Sequence, residues 1–320
     1  MKIITAAEIA STLDYASLID AIDQAFKVGA TIPARAHHSI DVKNGRDSTL
    51  LLMPAWDDGD YLGVKIVCAV PDNAARGLPA VQATYQLFDR LTGQPLALLN
   101  GPELTARRTA SASALAAKYL ARTDSRTLLV VGTGVLSPHL VRAHMVHHPI
   151  ENIKIWGRNF EKSTTVKQQL LNSGLQAKNI TAIEPDRLQN AVMEADIIST
   201  ATLSLNPLIN GRWLRPGQHL DLVGGFTPHM READDECIKR AGVFLDTPQA
   251  MVEAGDICQP LATGVLEKTN IKGTLFDLAR HDISRRTADN QITLFKSTGT
   301  ALEDLAAAKL SYLRILKENQ

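Results

Sequence analysis

The sequence of 320 residues predicts an α/β protein in which a doubly wound parallel sheet is joined to an α+β domain. An apolar strand at residues 127–131 leads into a glycine turn and the start of a helix. From there to residue 246, short apolar strands alternate with helical patterns, which is typical of a parallel sheet. The first 120 residues instead combine helices with an alternating strand at residues 62–69 and a hairpin at residues 81–99, the pattern of an α+β domain.

The turn after the strand at residues 127–131 has the composition of a dinucleotide-binding loop. Gly132 permits a sharp turn, and Gly134 lets the backbone approach a pyrophosphate at the positive end of the next helix. Ser137 is small enough for the third position of this fingerprint, which is usually Gly or Ala. We therefore expect a Rossmann site, with an ordinary tight turn as the alternative. The expected phosphate loop consists of Gly132, Thr133, Gly134, Val135 and Leu136.

The end of the second strand, at residues 153–157, predicts which dinucleotide binds. An NAD site places a carboxylate there to hold the ribose hydroxyls, but this chain has Arg158 and Asn159, followed by Lys162 and small hydroxyl residues. A cation without a neighbouring acid suits a 2'-phosphate, so NADP(H) is favoured. A solvated arginine at a strand end is the alternative.

Two further strand ends belong to the expected cofactor side. Ligands of doubly wound sheets bind beyond the carboxyl ends of the strands. The strands predicted at residues 196–201 and 218–223 end at this edge. The expected cofactor-binding residues there are Thr200, Ala201, Thr202, Val223, Gly224 and Gly225.

Composition limits the class of ligand. Acidic and basic residues number 34 each, and an apolar content of 45% is typical of a globular chain. No net charge attracts nucleic acid or an anionic membrane, and no apolar run has the length of a membrane span or the layout of a signal peptide. We expect a cytoplasmic protein with a small-molecule substrate.

Neither the cysteines nor the histidines predict a metal site. The three cysteines lie in unrelated contexts without a CxxC pair. His144 and His148 have the spacing of zinc ligands on a helix, but no Glu follows the first and no third ligand is evident. We expect no metal there and an exposed helix end.

The strand at residues 62–69 contains the candidate proton donor. Lys65 is its ionisable residue and lies on the face with the smaller side chains. A lysine partly removed from water has a lowered pKa and can hand over a proton near neutral pH. The alternative is an edge strand that a lysine protects from aggregation.

Arginines are candidate anchors for an acidic substrate, because the guanidinium fork matches a carboxylate. Arg107 and Arg108 are neighbours on a helix predicted at residues 103–121. They point about 100° apart, so at most one is central to a pocket while the other faces solvent. Arg35 is a further candidate, and a surface charge is the alternative for each.

The chain is long enough for two domains. Residues 121–297 are expected to form the NADP(H)-binding Rossmann domain. Residues 1–120 form the other domain, to which a C-terminal helix within residues 298–320 is expected to return with its apolar face.

Several segments together resemble the ornithine cyclodeaminase and mu-crystallin family, in the family's order over nearly the full chain. They are Gly63-Val64-Lys65, LTARRTA at residues 104–110, the VGTG loop, Val223-Gly224-Gly225 and KSTGTALED at residues 296–304. The resemblance implies a homodimer built through residues 1–120, which then serve in substrate binding and dimerisation. It implies substrate-site roles for Lys65, Arg108 and Arg35. It also implies that Ser297 and Thr298 line the site near the nicotinamide, where Ser297 contacts the cofactor and Thr298 contacts the substrate.

Two departures separate the chain from ornithine cyclodeaminases. Those enzymes carry an Asp after the VGG segment, where this chain has Phe226, and an acidic residue at the second strand, where it has Arg158. Cyclodeamination of ornithine is therefore disfavoured. The chain is similar instead to family members that use NADPH to reduce pyrroline-2-carboxylate or piperideine-2-carboxylate to proline or pipecolate.

The residues suit that reaction. Arg108, helped by Arg35, would hold the carboxylate, and Lys65 would supply or orient the proton that keeps the imine cationic while NADPH delivers hydride. NADH is expected to be a weaker cofactor than NADPH. The alternatives are an alanine-type dehydrogenase for open-chain substrates and a non-catalytic NADPH-dependent ligand-binding protein. Ring size stays open, because one methylene is worth only about 1 to 3 kcal/mol in a pocket.

Overall fold

The computed structural model describes residues 1–43 and 45–318. The chain divides into two compact units, which we call the N-terminal unit (Met1–Arg108 with Thr300–Gln320) and the Rossmann unit (Thr109–Gly299). Residues 319 and 320, the end of the C-terminal segment predicted at residues 298–320, lie outside the described residues.

The elements up to residue 120 are β1 (Lys2–Ile4), α1 (Ala6–Thr12), α2 (Tyr15–Val28), β2 (Ala36–Ile40), β3 (Ser48–Trp56), β4 (Tyr61–Ala69), β5 (Val81–Asp89), β6 (Pro95–Asn100) and α3 (Gly101–Leu120). Those of the remaining chain are β7 (Thr127–Val131), α4 (Leu136–His144), β8 (Asn152–Trp156), α5 (Phe160–Asn172), β9 (Asn179–Ile183), α6 (Leu188–Glu194), β10 (Ile197–Thr200), β11 (His219–Leu222), α7 (Asp235–Arg240), β12 (Ala241–Leu245), α8 (Ala250–Glu253), α9 (Gly255–Ala262), β13 (Ile271–Thr274), α10 (Leu275–Arg280), β14 (Ile292–Lys296) and α11 (Ala301–Glu318). Short 3-10 turns lie at Pro71–Arg76, Pro185–Arg187, Gly211–Trp213 and Lys268–Asn270.

The described residues of the N-terminal unit form a six-stranded sheet in the order β1-β6-β5-β4-β3-β2. The strand that carries Lys65, β4, lies between β3 and β5, so the edge-strand alternative for Lys65 is wrong. Gly63, Lys65 and Val67 are buried on one face of β4, whereas Ile66 and Cys68 are exposed on the other. The buried face is covered by α11, which packs against β3, β4 and β5.

Helix caps fix the N-terminal helices. Thr5 and Glu8 form a capping box at the start of α1, since their side chains each accept the other's backbone N–H. The Asp14 side chain caps α2 by accepting the Ser17 N–H at 2.9 Å. The apolar face of α2 packs against α11 and is fully buried through Leu18, Ile19, Ile22 and Phe26.

The Rossmann unit is built on a parallel sheet in the order β13-β12-β14-β11-β10-β7-β8-β9. From β9 to β11 this order follows the 3-2-1-4-5 arrangement of dinucleotide-binding folds, and the strand order reverses between β7 and β10. The predicted α/β fold class is confirmed. Ligands of such sheets bind at the reversal point, which is where the glycine loop after β7 lies.

Sequence and structure differ mainly in short elements. One short strand is not predicted from the sequence: Lys2–Ile4 form β1, which pairs with β6 in parallel. Three residues are too few for an alternating pattern to be recognised. Strand β14 ends at Lys296, because the next residues turn to bind a buried carboxylate. Within the described residues, no helix has both the length and the apolar character needed to cross a membrane.

Candidate active site

Lys65 and Arg108 are brought together in the N-terminal unit by two carboxylates of α11. Lys65 Nζ lies 2.7 Å from Asp304 Oδ2. Arg108 Nε donates to Asp304 Oδ1 at 2.9 Å, and its Nη1 donates to Glu303 Oε2 at 2.5 Å. The four side chains are at most 5% exposed, so the two cations and two anions form a neutral buried cluster.

The cluster changes the acidity of its members. Burial, together with the nearby Arg108 guanidinium, lowers the pKa of Lys65 to about 8, although Asp304 acts in the opposite direction. Burial alone would raise the pKa of Asp304, but the charges of Arg108 and Lys65 outweigh it and lower that pKa. Lys65 is therefore charged at neutral pH and close enough to titration to exchange a proton.

Tyr85 lies beside Lys65 on the neighbouring strand β5, directly opposite it in the antiparallel register. Its hydroxyl is buried and has no hydrogen-bond partner among the described residues. A Cβ at Gly63 would lie 1.9 Å from this oxygen, so glycine is needed at position 63 for the phenol to fit. Burial raises the pKa of Tyr85 well above its usual range, which keeps the phenol neutral.

The other candidate arginines are less enclosed. With Arg108 enclosed in the cluster, Arg107 was expected to face solvent, but it is largely buried: its Nε donates to Glu103 at 2.6 Å and its Nη1 to the Leu13 carbonyl at 2.8 Å. Arg35 is partly buried and lies just before β2. The ion-pair partners Glu303 and Asp304 are residues that the sequence reasoning did not single out. An acidic pair among the apolar positions of α11 was the available signal.

The loop after β7 has the geometry of a phosphate-binding turn. Gly132 has a φ of +133°, and a Cβ there would lie 2.5 Å from the Ala201 carbonyl oxygen. Ser137 is fully buried and donates to the Gly132 carbonyl at 2.8 Å, so it provides the close packing expected at the third position of the fingerprint. Within the described residues, nothing lies within 4 Å of a Cβ placed on Gly134. Glycine at 134 is thus explained by space for a ligand rather than by protein packing.

The start of α4 leaves room for an anion. Its N-cap residue, Val135, makes no side-chain cap bond with any described residue, and its own side chain is 75% exposed. Leu136 is the first residue of the helix, and Thr133 is partly exposed beside it. Unfilled N–H groups at a helix start suit a phosphate.

Arg158 and Asn159 follow β8, as expected of residues that contact the adenosine ribose. Both are exposed, and the Asn159 side chain caps α5 by accepting the Lys162 N–H at 3.1 Å. A Cβ at Gly157 would lie 2.6 Å from Thr133 Cγ2, which ties this strand end to the phosphate loop. No carboxylate stands at residues 157–164 except Glu161 in the first turn of α5.

The ends of β10 and β11 are joined to each other. Thr200 is buried, and its carbonyl accepts the N–H groups of Val223 at 2.8 Å and Gly224 at 3.2 Å. The Ala201 N–H bonds to the carbonyl of Val131, the last residue of β7. Thr202 donates through both N and Oγ1 to a buried carboxylate, that of Glu232. These expected cofactor residues lie together at one edge of the sheet.

Asp246 organises the turn after β14. Its Oδ2 accepts the backbone N–H of Thr298 at 2.6 Å and of Gly299 at 2.7 Å, and the Ser297 hydroxyl at 3.2 Å. Ser297 is buried, whereas Thr298 is partly exposed. Burial raises the pKa of Asp246 although these donors act against it. Asp246 was not singled out in the sequence, because it looks like an ordinary strand end.

The histidines are not at an exposed helix end, so that expectation is wrong. His144 is fully buried, with Nε2 3.4 Å from Asp221 Oδ2, and His148 is 5% exposed. The sequence pattern could not show that the end of α4 is covered by the sheet. A search of the described residues finds no group of metal-ligating side chains around them.

The fold is the Rossmann type found in dinucleotide-binding proteins. A model of the ornithine cyclodeaminase/mu-crystallin family matches residues 1–319. The chain belongs to this family.

The curated relatives of the chain include three proteins that are at least 35% identical to it over the aligned residues. Protein SAR DEFICIENT 4 of Arabidopsis thaliana is 39% identical over 88% of this chain and 86% of that protein. The Delta(1)-pyrroline-2-carboxylate reductase of Paracoccus denitrificans is 37% identical, with 90% of each chain covered. The enzyme of the same name from Colwellia psychrerythraea is 35% identical over 96% of this chain and 97% of its own.

Solved structures with the same fold include three that match the whole chain. The Thermococcus litoralis Delta(1)-pyrroline-2-carboxylate reductase, in complex with NADH and L-proline, has a TM-score of 0.92 at 30% identity, covering 100% of this chain and 98% of that one. An archaeal alanine dehydrogenase dimer with bound NAD has a TM-score of 0.89 at 27% identity, covering 100% of this chain and 97% of that one. The iminosuccinate reductase of Paracoccus denitrificans, in complex with NAD+, has a TM-score of 0.88 at 28% identity, covering 100% of this chain and 97% of that one.

Proposed function

We propose that this protein is an oxidoreductase that uses NADPH to reduce a cyclic imino acid, pyrroline-2-carboxylate or piperideine-2-carboxylate, to proline or pipecolate. The observation that carries the proposal is the buried ion pair between Lys65 and Asp304 beside Arg108. The names and bound ligands of the similar pyrroline-2-carboxylate reductases support it.

Lys65 is the proposed catalytic residue. Its pKa of about 8 keeps the ammonium protonated at neutral pH, where it can donate to the imine nitrogen. An iminium carbon accepts hydride far more readily than a neutral imine, so this proton lowers the barrier of hydride transfer. Arg108, Arg35 and Thr298 are the proposed contacts of the substrate, with the guanidinium groups matched to its carboxylate.

The Rossmann unit fits a nicotinamide dinucleotide, because Gly134 and the uncapped start of α4 leave space and N–H donors for a pyrophosphate. When bound, the cofactor supplies the hydride. Arg158 favours the 2'-phosphate of NADPH, with Asn159 and the exposed Lys162 beside it. NADH, the cofactor in the Thermococcus litoralis structure, is proposed to bind more weakly here.

We also propose a homodimer built through residues 1–120, since the similar alanine dehydrogenase is a dimer. A cytoplasmic location fits the three cysteines, all of which are free. A small imino acid is the proposed partner, without nucleic acid or membrane.

An alanine-type dehydrogenase is the second candidate, because the TM-score of the archaeal alanine dehydrogenase, 0.89, is close to the 0.92 of the Thermococcus litoralis reductase. The test is oxidation of NADPH and NADH with pyrroline-2-carboxylate, piperideine-2-carboxylate, and pyruvate plus ammonia offered separately. Turnover of the cyclic imines, faster with NADPH, is the expected result. Turnover with pyruvate and ammonia alone would favour the second candidate, and tight NADPH binding without any turnover would favour a ligand-binding role.

A further inference from the structure

The Rossmann unit contains a second buried charged cluster, Glu232, Asp256 and Lys296, which we call the buried triad. All three residues have no exposed surface. Lys296, the last residue of β14, lies with its Nζ 3.2 Å from Asp256 Oδ2. Asp256 Oδ1 in turn accepts the backbone N–H groups of Glu232 at 2.8 Å and Ala233 at 3.0 Å. The triad is therefore one connected network.

The triad holds the backbone of two proposed cofactor segments. Lys296 Nζ donates to the Gly224 carbonyl. Glu232 Oε1 accepts both the backbone N–H of Thr202, at 2.7 Å, and its hydroxyl, at 2.8 Å. The ends of β10 and β11 are thus fixed by side chains rather than by packing alone.

The glycines of the VGG segment are fitted to this network. A Cβ at Gly225 would lie 2.6 Å from Asp256 Oδ2 and 3.3 Å from Lys296 Nζ, and a Cβ at Gly224 would lie 2.5 Å from Glu232 Oε1. The triad approaches so closely that no other residue fits without a shift of the charged groups. Gly225 also has a φ of +54°, which glycine adopts without strain.

The charges of the triad do not balance. Two carboxylates face one ammonium, and Glu232 Oε2 is buried without a hydrogen-bond partner among the described residues. Titratable groups near the triad, among the described residues, include the neutral thiols of Cys237 and Cys258, whose pKa values Asp256 raises, and Arg231, which acts on Cys258. An unbalanced buried charge is costly, and burial accordingly raises the pKa of Glu232 to about 7.

We propose that the buried triad is a positioning device of the cofactor site, and that the dinucleotide binds more tightly when Glu232 carries a proton. The proposal rests on the proposed function, because it assumes that NAD(P)H binds at the ends of β10 and β11. A protonated Glu232 makes the triad neutral, whereas an ionised Glu232 adds a negative charge beneath a site for a polyanion.

The test is the dissociation constant of NADPH and of NADH, followed by their fluorescence between about pH 6 and about pH 9. NADH is included because the 2'-phosphate of NADPH has a pKa of its own near 6. The key variant is Glu232→Gln, which keeps an oxygen for Thr202 and resembles the protonated acid. Asp221→Asn, which alters another fully buried carboxylate of the same unit, is the matched control.

For the wild type we expect Kd to rise several-fold as pH increases through about 7, with both cofactors. At acidic pH, the Kd of Glu232→Gln for both cofactors is expected to equal that of the wild type. At alkaline pH, this variant should bind both cofactors severalfold more tightly than the wild type. Calorimetry in buffers of different ionisation enthalpy should show proton uptake on binding near pH 7 for the wild type and the control, and none for Glu232→Gln. A purely structural glutamate would not yield a gain of affinity at one end of the pH range.

Lys296→Met tests the positioning role and should weaken binding about tenfold or more at every pH. If Lys296→Met fails to fold, the pH dependence of Kd in Glu232→Gln alone tests the proposal. A Glu232→Gln profile that follows that of the wild type, or weaker binding at all pH values, would overturn the proposal while leaving the proposed function intact. A wild type that binds neither NADPH nor NADH would overturn both, and cyclic-imine turnover measured separately distinguishes the two cases.

Discussion

Lys65 and Asp304 form an ion pair of 2.7 Å, with side chains 3% and 0% exposed, on facing elements of the N-terminal unit. Arg108 binds the other oxygen of the same carboxylate. One aspartate therefore positions both the proposed proton donor and the proposed carboxylate anchor. The contributions of the two cations are therefore coupled through Asp304.

Replacing Lys65 by Met should abolish proton donation while leaving the dinucleotide site unchanged. We expect kcat to fall about 10²- to 10⁴-fold, with the Kd of NADPH altered less than about twofold. Lys27→Met, which removes an ion pair of 2.9 Å with Asp23 in the same unit, is the control and should keep kcat. Retained turnover in Lys65→Met would contradict the assigned role.

Turnover should depend on pH through the charge of Lys65. The protonated form is active, so kcat/KM should fall as pH rises through about 8, the pKa of this group. Asp304 raises the pKa of Lys65, so Asp304→Asn should move this alkaline limb to lower pH. Removing one partner of a buried pair should also cost about 3 to 5 kcal/mol of folding free energy, measured by denaturant unfolding. An unmoved limb in a folded variant would rule out Lys65 as the titrating group.

Arg158 should determine the preference for NADPH. Arg158→Ala removes a charge-assisted contact to the 2'-phosphate, so the Kd of NADPH should rise about 10- to 100-fold. The Kd of NADH should stay within about twofold of the wild-type value. Arg212→Ala, at another exposed arginine of the Rossmann unit, should change neither constant. An equal loss of affinity for both cofactors would show that Arg158 does not read the phosphate.

Tyr85 and Gly63 offer a test of the packing around Lys65. The Tyr85 hydroxyl is buried without a partner among the described residues, so Tyr85→Phe should be neutral or stabilising by about 1 kcal/mol. Gly63→Ala places a Cβ against this hydroxyl and should destabilise by about 1 to 3 kcal/mol. Combining the two changes should recover part of the loss in urea unfolding. The same Cβ would lie 2.5 and 2.7 Å from two carbons of the Tyr85 ring, so a double variant no more stable than Gly63→Ala would place the clash on the ring rather than on the hydroxyl.

His148 should make the protein labile to acid. Burial lowers its pKa in the folded state to about 4, below the 6.5 of an exposed histidine. Between these values the unfolded chain binds the proton and the folded chain does not, so stability is full above about pH 6.5 and falls as pH decreases toward about 4. The loss from this group is on the order of 3 kcal/mol. A His148→Gln variant should show a shallower fall in urea unfolding between these pH values, whereas His38→Gln, at an exposed position, should follow the wild type.

Local patterns predicted the Rossmann half well, because the glycine loop and buried strands carry strong short-range signals. Strand β8, for example, was predicted at residues 153–157 and spans Asn152–Trp156. The polar network could not be predicted, because it depends on long-range pairing: Asp304 is 239 positions from Lys65, as the numbering shows. A buried ion pair and a solvated charge look alike in sequence until the fold brings the partners together.

The most direct test of the account is the fate of the hydride. NADPH carrying deuterium at the transferable C4 position is incubated with pyrroline-2-carboxylate and the enzyme, and the amino acid formed is analysed by mass spectrometry and NMR. We expect proline with one deuterium at Cα, formed by the wild type and not by Lys65→Met. Unlabelled proline would contradict the proposed function. So would the absence of both products, proline from this substrate and pipecolate from its six-membered analogue.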